Sequence, residues 1–126
     1  MKASNSFMFT DMHYRTQPEN AFVGTVDPGI KDARNLLRSV ARCLKFPDYF
    51  GENWNALFDC LRDFDWVDER LIFLVHADAP SVGAANLKNY LEVLQDAADC
   101  WKERDDHKLI IVFPTATRER LEDILG

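Results

Sequence analysis

The stretch from Phe46 to Leu61 reads FPDYFGENWNALFDCL, and it joins a loop rich in aromatic residues to the start of a helix. Asn53 has a side chain suited to cap a first helical turn, so the sequence predicts a helix over Trp54–Phe64. At 100° per residue, the apolar residues of this helix fall on one side. They are Ala56, Leu57, Cys60, Leu61 and Phe64. We expect this side to be buried against the rest of the domain.

The other side of the same helix is polar, with one aromatic residue at its border. Its polar residues are Asn55, Asp59, Arg62 and Asp63. Phe58 lies at the border, and the preceding loop presents Asp48, Tyr49 and Glu52 next to it. An aromatic residue flanked by carboxylates is typical of a binding hot spot for a partner that carries arginine or lysine. The alternative is that Tyr49, Phe50 and Phe58 extend the core, and periodicity alone does not decide between the two.

Around this stretch, short apolar strands alternate with helices. Strands are predicted over Ala21–Val26, Leu71–Val75 and Leu109–Phe113. Further helices are predicted over residues 30–44, 86–102 and 117–125, where apolar residues recur every three or four positions. This order predicts an α/β fold with a small three-stranded parallel sheet covered by helices, in a single domain over residues 1–126. The spacing of Phe7 and Phe9 is compatible with a short additional strand.

The net charge of −6 is concentrated in one segment. Between Asp48 and Glu69 there are seven acidic residues and one basic residue, Arg62, so this segment alone carries −6. The remainder of the chain has 14 acidic and 14 basic residues. Such an acidic surface repels nucleic acid and attracts basic proteins, so we expect a basic protein partner and no nucleic acid. A solvated acidic face without a partner would have the same composition.

Motifs for catalysis or for a bound cofactor are missing from the sequence. The histidines have no metal-binding spacing, the cysteines form no C-x-x-C pair, and neither a phosphate-binding glycine loop nor a nucleophile motif occurs. The acids between Asp63 and Glu69 lack the central glycine of a calcium loop. We therefore expect no enzyme activity, no metal and no cofactor. The enzymatic alternative is a small hydrolase that uses His76, at the end of a predicted strand, with nearby carboxylates.

The sequence also indicates a cellular compartment. No apolar run approaches the ~20 residues that span a bilayer, and residues 1–10 lack the features of a signal peptide. Three widely spaced cysteines (Cys43, Cys60 and Cys100) do not suggest a disulfide scaffold. We therefore expect a cytoplasmic protein that has no membrane partner.

The pattern P-x-Y-x-G-E-N-x-x-A-L-x-D-C-L, from Pro47 to Leu61, resembles the barstar family of intracellular inhibitors of the secreted ribonuclease barnase. A looser resemblance follows the same order of strands and helices from Phe22 to Phe113. The resemblance implies a barstar-like fold in which the loop and the following helix block the active site of a ribonuclease. Carboxylates of the inhibitor then meet the basic groups that would otherwise hold RNA phosphate.

The same resemblance implies roles for four residues of the loop and helix. Tyr49 matches the interface tyrosine of the family, and Asp59 matches its dominant interface aspartate. Asn55 stands where the family has a second interface aspartate, and Phe58 stands where it has a tryptophan. These two departures indicate a target other than barnase itself.

Three acidic residues complete the predicted partner-binding surface. Glu52 and Asp63 are predicted as charges at its rim, and Asp96 falls near the position of a further interface glutamate of the family. The predicted function is inhibition of a ribonuclease, with the chain as the immunity protein of a ribonuclease toxin. It implies a monomer alone and a 1:1 heterodimer with the nuclease. The alternative is an adaptor or regulatory module that keeps the fold but binds another basic protein.

Overall fold

Two strands, two helices and then alternating strands and helices follow one another in the part of the chain that the computed structural model describes, residues 7–11, 21–48 and 50–126. The strands are β1 (Phe7–Phe9), β2 (Ala21–Val26), β3 (Leu71–His76) and β4 (Lys108–Phe113). The helices are α1 (Ala33–Cys43), α2 (Trp54–Leu61), α3 (Ala84–Cys100) and α4 (Arg118–Leu125), and a 3-10 turn covers Thr115–Thr117. The predicted α/β class is confirmed.

The described strands form one parallel sheet in the order β1-β4-β3-β2. The prediction of three strands is wrong in its count, because β1 pairs with β4, with Phe7 opposite Ile111. This pairing satisfies backbone groups that β4 would otherwise expose at the edge of the sheet. The ring centroids of Phe7 and Phe113 lie 5.5 Å apart, so aromatic packing also holds β1. Three residues are too few for periodicity to identify a strand.

The helices pack on one face of this sheet and form the main core with it. Leu36 of α1, Leu57 of α2 and Leu91 of α3 are fully buried in one cluster with Ile72 and Leu74 of β3. Side chains alternate across a sheet, so its other face carries different residues. Its buried cluster consists of Ala21, Phe73 and Val112. Within the described ranges, no helix is long and apolar enough to cross a membrane.

The start of the loop before α2 is set by a close approach of α1 to β2. A Cβ atom at Gly24 would lie 2.8 Å from the Cys43 carbonyl oxygen and 2.8 Å from Leu44 Cδ2. Both distances are too short for non-bonded contact, so glycine at this position lets the end of α1 lie against the strand. The chain then leaves the helix through Lys45, whose backbone is in the left-handed region with φ 56°.

Helix α2 ends three residues earlier than its sequence pattern predicts. The backbone of Phe64 has φ 50°, a left-handed conformation that cannot continue a right-handed helix. Its ring is nevertheless fully buried and stacks near Trp101, with 6.2 Å between the ring centroids. The predicted buried side of α2 is confirmed by Leu57, Cys60, Leu61 and Phe64, while Ala56 is half-buried.

Candidate partner-binding surface

Aromatic residues anchor the loop that precedes α2 in the core. The ring centroid of Phe46 lies 5.0 Å from that of Phe50 and 5.8 Å from that of Trp66. The indole N–H of Trp66 donates a hydrogen bond to the carbonyl oxygen of Leu44 at 3.0 Å. Phe50 thus extends the core, which agrees for this residue with the alternative in which the aromatic residues of the segment pack inward. This packing holds Phe46 and Phe50 against the core.

The first turn of α2 is capped as the sequence predicts. The Asn53 side-chain oxygen accepts a hydrogen bond from the backbone N–H of Ala56 at 2.8 Å. Its side-chain nitrogen donates to the carbonyl oxygen of Gly51 at 3.2 Å. Asn53 therefore joins the start of the helix to the loop. Glu52, which lies between Gly51 and Asn53, has a left-handed φ of 53°. Two hydrogen bonds of one side chain thus link the loop and the start of the helix into one unit.

The structure brings five of the seven predicted partner-binding residues together on this unit. Asn55, Asp59 and Asp63 are exposed on α2 and just after its end, Glu52 is exposed in the loop, and Phe58 is half-buried between solvent and core. We call the outward side of residues 46–48 and 50–63 the α2 face. It keeps part of an aromatic ring accessible beside carboxylates, which is the arrangement that the sequence suggested.

The other two predicted residues stand apart from this group. Asp96 is exposed on α3, the helix that packs against α2. Within the described residues, its side chain makes no hydrogen bond or ion pair with the α2 face. Tyr49 lies outside the described residues, so its predicted contact role remains a prediction.

Two arginines of this chain form ion pairs with carboxylates of the α2 face. Arg38 of α1 pairs with Glu52, with Nε 3.0 Å from Oε2. Arg62 Nη2 lies 3.4 Å from Asp59 Oδ1, and the Arg62 guanidinium carbon lies 4.6 Å from the centroid of the Phe58 ring. The first pair ties the loop to α1. The second places a cation over the half-buried ring of Phe58.

An acidic cleft of about 730 Å³ continues from the end of α2. It is lined by Arg62, Asp63, Asp65, Val67, Asp68, Cys100, Trp101, Asp105, Asp106 and His107. Its wall is fixed by the Trp101 indole N–H, which donates to the Leu61 carbonyl oxygen at 3.0 Å. Sequence reasoning missed Asp105 and Asp106, because only the tertiary fold brings the turn before β4 next to the end of α2. Among the described residues, no three histidine, cysteine or carboxylate groups are arranged to hold a metal ion.

His76, the residue of the hydrolase alternative, is buried beneath the helices and fully hydrogen-bonded. Its Nδ1 donates to the Val112 carbonyl oxygen at 2.9 Å, which leaves Nε2 to accept from the Tyr90 hydroxyl at 2.6 Å. Burial lowers the pKa of His76 to about 4. A ring that is 3% exposed, with both nitrogens engaged, has no access to a substrate. The geometry therefore supports a structural role for this histidine.

The family model described as Barstar (barnase inhibitor) matches residues 22–114, from β2 to just beyond β4. The chain belongs to the barstar family. The matched range contains the whole α2 face, the acidic cleft and His76, whereas β1 and α4 lie outside it. No curated protein matches the chain with significance. The members of the barstar family are inhibitors rather than enzymes, and their partner is a ribonuclease.

Proposed function

We propose that this chain inhibits a ribonuclease by docking the α2 face into the nuclease active site. The observation that carries the proposal is an acidic, partly aromatic face that is exposed and tied to the fold by hydrogen bonds and an ion pair. Asp59 and Asn55 are exposed at its centre, next to the accessible part of Phe58. Aromatic residues and charged groups in such a setting account for most of the binding energy of protein interfaces.

The contacts that tie the face to the rest of the fold favour tight binding. Asn53 holds the loop to the helix through two hydrogen bonds, and Arg38 holds Glu52 at 3.0 Å. The aromatic packing around Phe46 fixes the other end of the loop. A face ordered before docking loses little conformational entropy on binding, so more of the contact energy contributes to affinity.

The charge of the face fits the chemistry of a ribonuclease. An enzyme that binds RNA presents cations to the phosphates, and a carboxylate surface competes for the same cations. Asp59 would meet the most deeply placed cation, with Asn55, Phe58 and Tyr49 around it. Glu52 and Asp63 would form the rim, and Asp96 would extend the contact to α3. Opposite charges on the two surfaces also speed association.

Fast association fits the role of an immunity protein, which protects the producing cell from its own ribonuclease toxin. The chain would act in the cytoplasm, as a monomer that forms a 1:1 complex, and it would catalyse no reaction itself. The departures at Asn55 and Phe58 from the family pattern point to a toxin other than barnase.

Capture and inhibition together test this proposal. The immobilised chain is exposed to an extract of the producing cell, and the eluted protein is assayed for RNA cleavage with and without added chain. Capture with the Asp59→Ala variant is the matched control. We expect the wild-type chain to recover a ribonuclease and to suppress it completely at a 1:1 molar ratio. Recovery of a basic protein without ribonuclease activity would instead identify the chain as an adaptor and refute the proposal.

A further inference from the structure

Arg62 is the one basic residue of the acidic segment from Asp48 to Glu69, and it is the exposed C-cap residue of α2. Its guanidinium carbon is 4.6 Å from the Phe58 ring centroid, and its Nη2 is 3.4 Å from Asp59 Oδ1. The cation therefore contacts two of the residues through which the proposed function has the nuclease dock. Folding alone explains Arg62 only in part, since a cation is favourable at the end of a helix such as α2.

From these contacts we infer that Arg62 is a specificity-determining residue, an inference that rests on the proposed function. It favours a nuclease that places a carboxylate against Arg62, next to the cation that meets Asp59. It disfavours a nuclease whose active site presents only cations at this place.

The geometry of the ion pair leads to this inference in two steps. The Arg62 and Asp59 side chains are 50% and 69% exposed, and they are joined by a single long contact. A guanidinium has five N–H donors in a fork that matches a carboxylate, so this one contact leaves most of the fork available to a partner. At the same time, the Arg62 guanidinium lies over the Phe58 ring and within 3.4 Å of the Asp59 carboxylate. A second cation that approaches Asp59 meets a like charge unless a carboxylate neutralises Arg62.

The surroundings of Arg62 favour this role over a purely structural one. Arg62 also lines the acidic cleft, together with Asp63, Asp65 and Asp68. Despite these neighbours, its ion pair in the described residues is with Asp59, on the side of the docking face. An exposed pair of this kind adds little to the stability of a fold. Its position is therefore better explained by binding than by folding.

Inhibition constants for two nucleases test the inference. The probes are barnase, as a nuclease with basic groups at the docking site, and the ribonuclease captured from the producing cell. Arg62→Ala should inhibit barnase about tenfold more tightly than the wild-type chain, because Asp59 and Phe58 become free for its cations. The same variant should inhibit the captured ribonuclease about tenfold less tightly, although it makes the face more acidic.

Three further variants separate specificity from net charge and from folding. Arg120→Ala removes one positive charge from the exposed surface of α4 and should leave both constants unchanged. Arg62→Lys keeps the charge but loses the planar fork, so it should weaken inhibition of the captured ribonuclease while urea unfolding stays unchanged. In an Asp59→Ala background, Arg62→Ala should no longer tighten inhibition of barnase.

Equal changes in both constants on Arg62→Ala, or no change in either, would overturn the inference. Failure of the proposed function would look different, because the wild-type chain would then suppress no captured ribonuclease at all.

Discussion

Helices α1 and α2 follow the same local rules and differ in what their outer faces contact. In α1, the Asp32 carboxylate accepts a hydrogen bond from the backbone N–H of Asn35 at 2.8 Å. In α2, the Asn53 amide oxygen accepts one from Ala56 at the same distance. Each helix buries one apolar side in the same core cluster. Capping and amphipathic spacing therefore explain why both segments are helical, and they do not distinguish a structural helix from a binding helix.

The distinction comes from the charged side chains. Arginines of α1 are engaged by carboxylates of neighbouring elements, Arg42 with Asp27 at 2.8 Å and Arg38 with Glu52 at 3.0 Å. On α2, the ion pair that the Asp59 carboxylate makes within the described residues is with an arginine three residues further along the chain, at 3.4 Å. Arg38 and Arg42 of α1 thus hold separate parts of the chain to one another, whereas Asp59, the one charged residue of α2, is exposed and pairs with its own neighbour in sequence. A helix whose charges are not used by its own fold is the better candidate for a partner-binding surface.

The largest expected effect comes from removing the central carboxylate of α2. Asp59→Ala should weaken inhibition of the captured ribonuclease by about 2–5 kcal/mol, because a buried cation of the partner would lose its counter-charge. Most of the loss should appear in the dissociation rate. Stopped-flow association and competition dissociation measure the two rates separately.

Two controls connect this prediction to the comparison of the helices. Arg34→Ala removes an exposed charge from α1, and Asp123→Ala removes an exposed carboxylate from α4. Both variants should leave the affinity nearly unchanged. A loss in either control as large as that of Asp59→Ala would show that the docking surface lies elsewhere.

Replacing the two residues that depart from the family pattern should change the target of inhibition. Asn55 can donate as well as accept hydrogen bonds, whereas an aspartate would only accept, and Phe58 lacks the N–H donor of a tryptophan. The unmodified chain should therefore inhibit barnase weakly, since an unpaired buried cation costs about 1–3 kcal/mol. Asn55→Asp combined with Phe58→Trp should strengthen binding to barnase by about 1–3 kcal/mol. The same double variant should weaken inhibition of the captured ribonuclease. Titration of both proteins against both nucleases measures this, and tight inhibition of barnase by the unmodified chain would contradict it.

The sequence predicts much of this organisation, and the parts that it misses have physical reasons. The Asn53 cap and the buried side of α2 follow from local spacing and are found in the structure. The sequence predicts that α2 ends at Phe64, because the apolar spacing continues that far. The helix ends at Leu61 instead, and the backbone of Phe64 is left-handed. The cleft carboxylates Asp105 and Asp106 depend on contacts between distant segments, which no local pattern encodes.

Salt should slow docking through the acidic face. Electrostatic attraction is screened beyond about 10 Å at 0.1 M salt, so the association rate constant should fall about tenfold between low and high ionic strength. The dissociation rate constant should change much less. Arg34→Ala on α1 makes the chain more acidic outside the α2 face and should keep the same salt dependence. An association rate that is independent of salt would reject electrostatic docking.

The smallest expected effect compares the two helix caps. Asp32→Ala and Asn53→Ala should each lower the free energy of unfolding by about 1 kcal/mol, because each removes the side-chain acceptor of a first-turn N–H. Urea denaturation measures this loss. Only Asn53→Ala should also weaken ribonuclease inhibition, by a few-fold, since Asn53 additionally donates to Gly51 and so orders the loop beside the α2 face.

Asn53→Asp separates the two roles of the Asn53 side chain. It keeps an oxygen that can cap α2 but loses the donor to the Gly51 carbonyl oxygen. It should therefore unfold like the wild-type chain and inhibit like Asn53→Ala. If Asp32→Ala weakened inhibition as much as Asn53→Ala did, the stability of the whole helical layer, and not the order of the loop before α2, would control docking. The difference in role between α1 and α2 would then not hold.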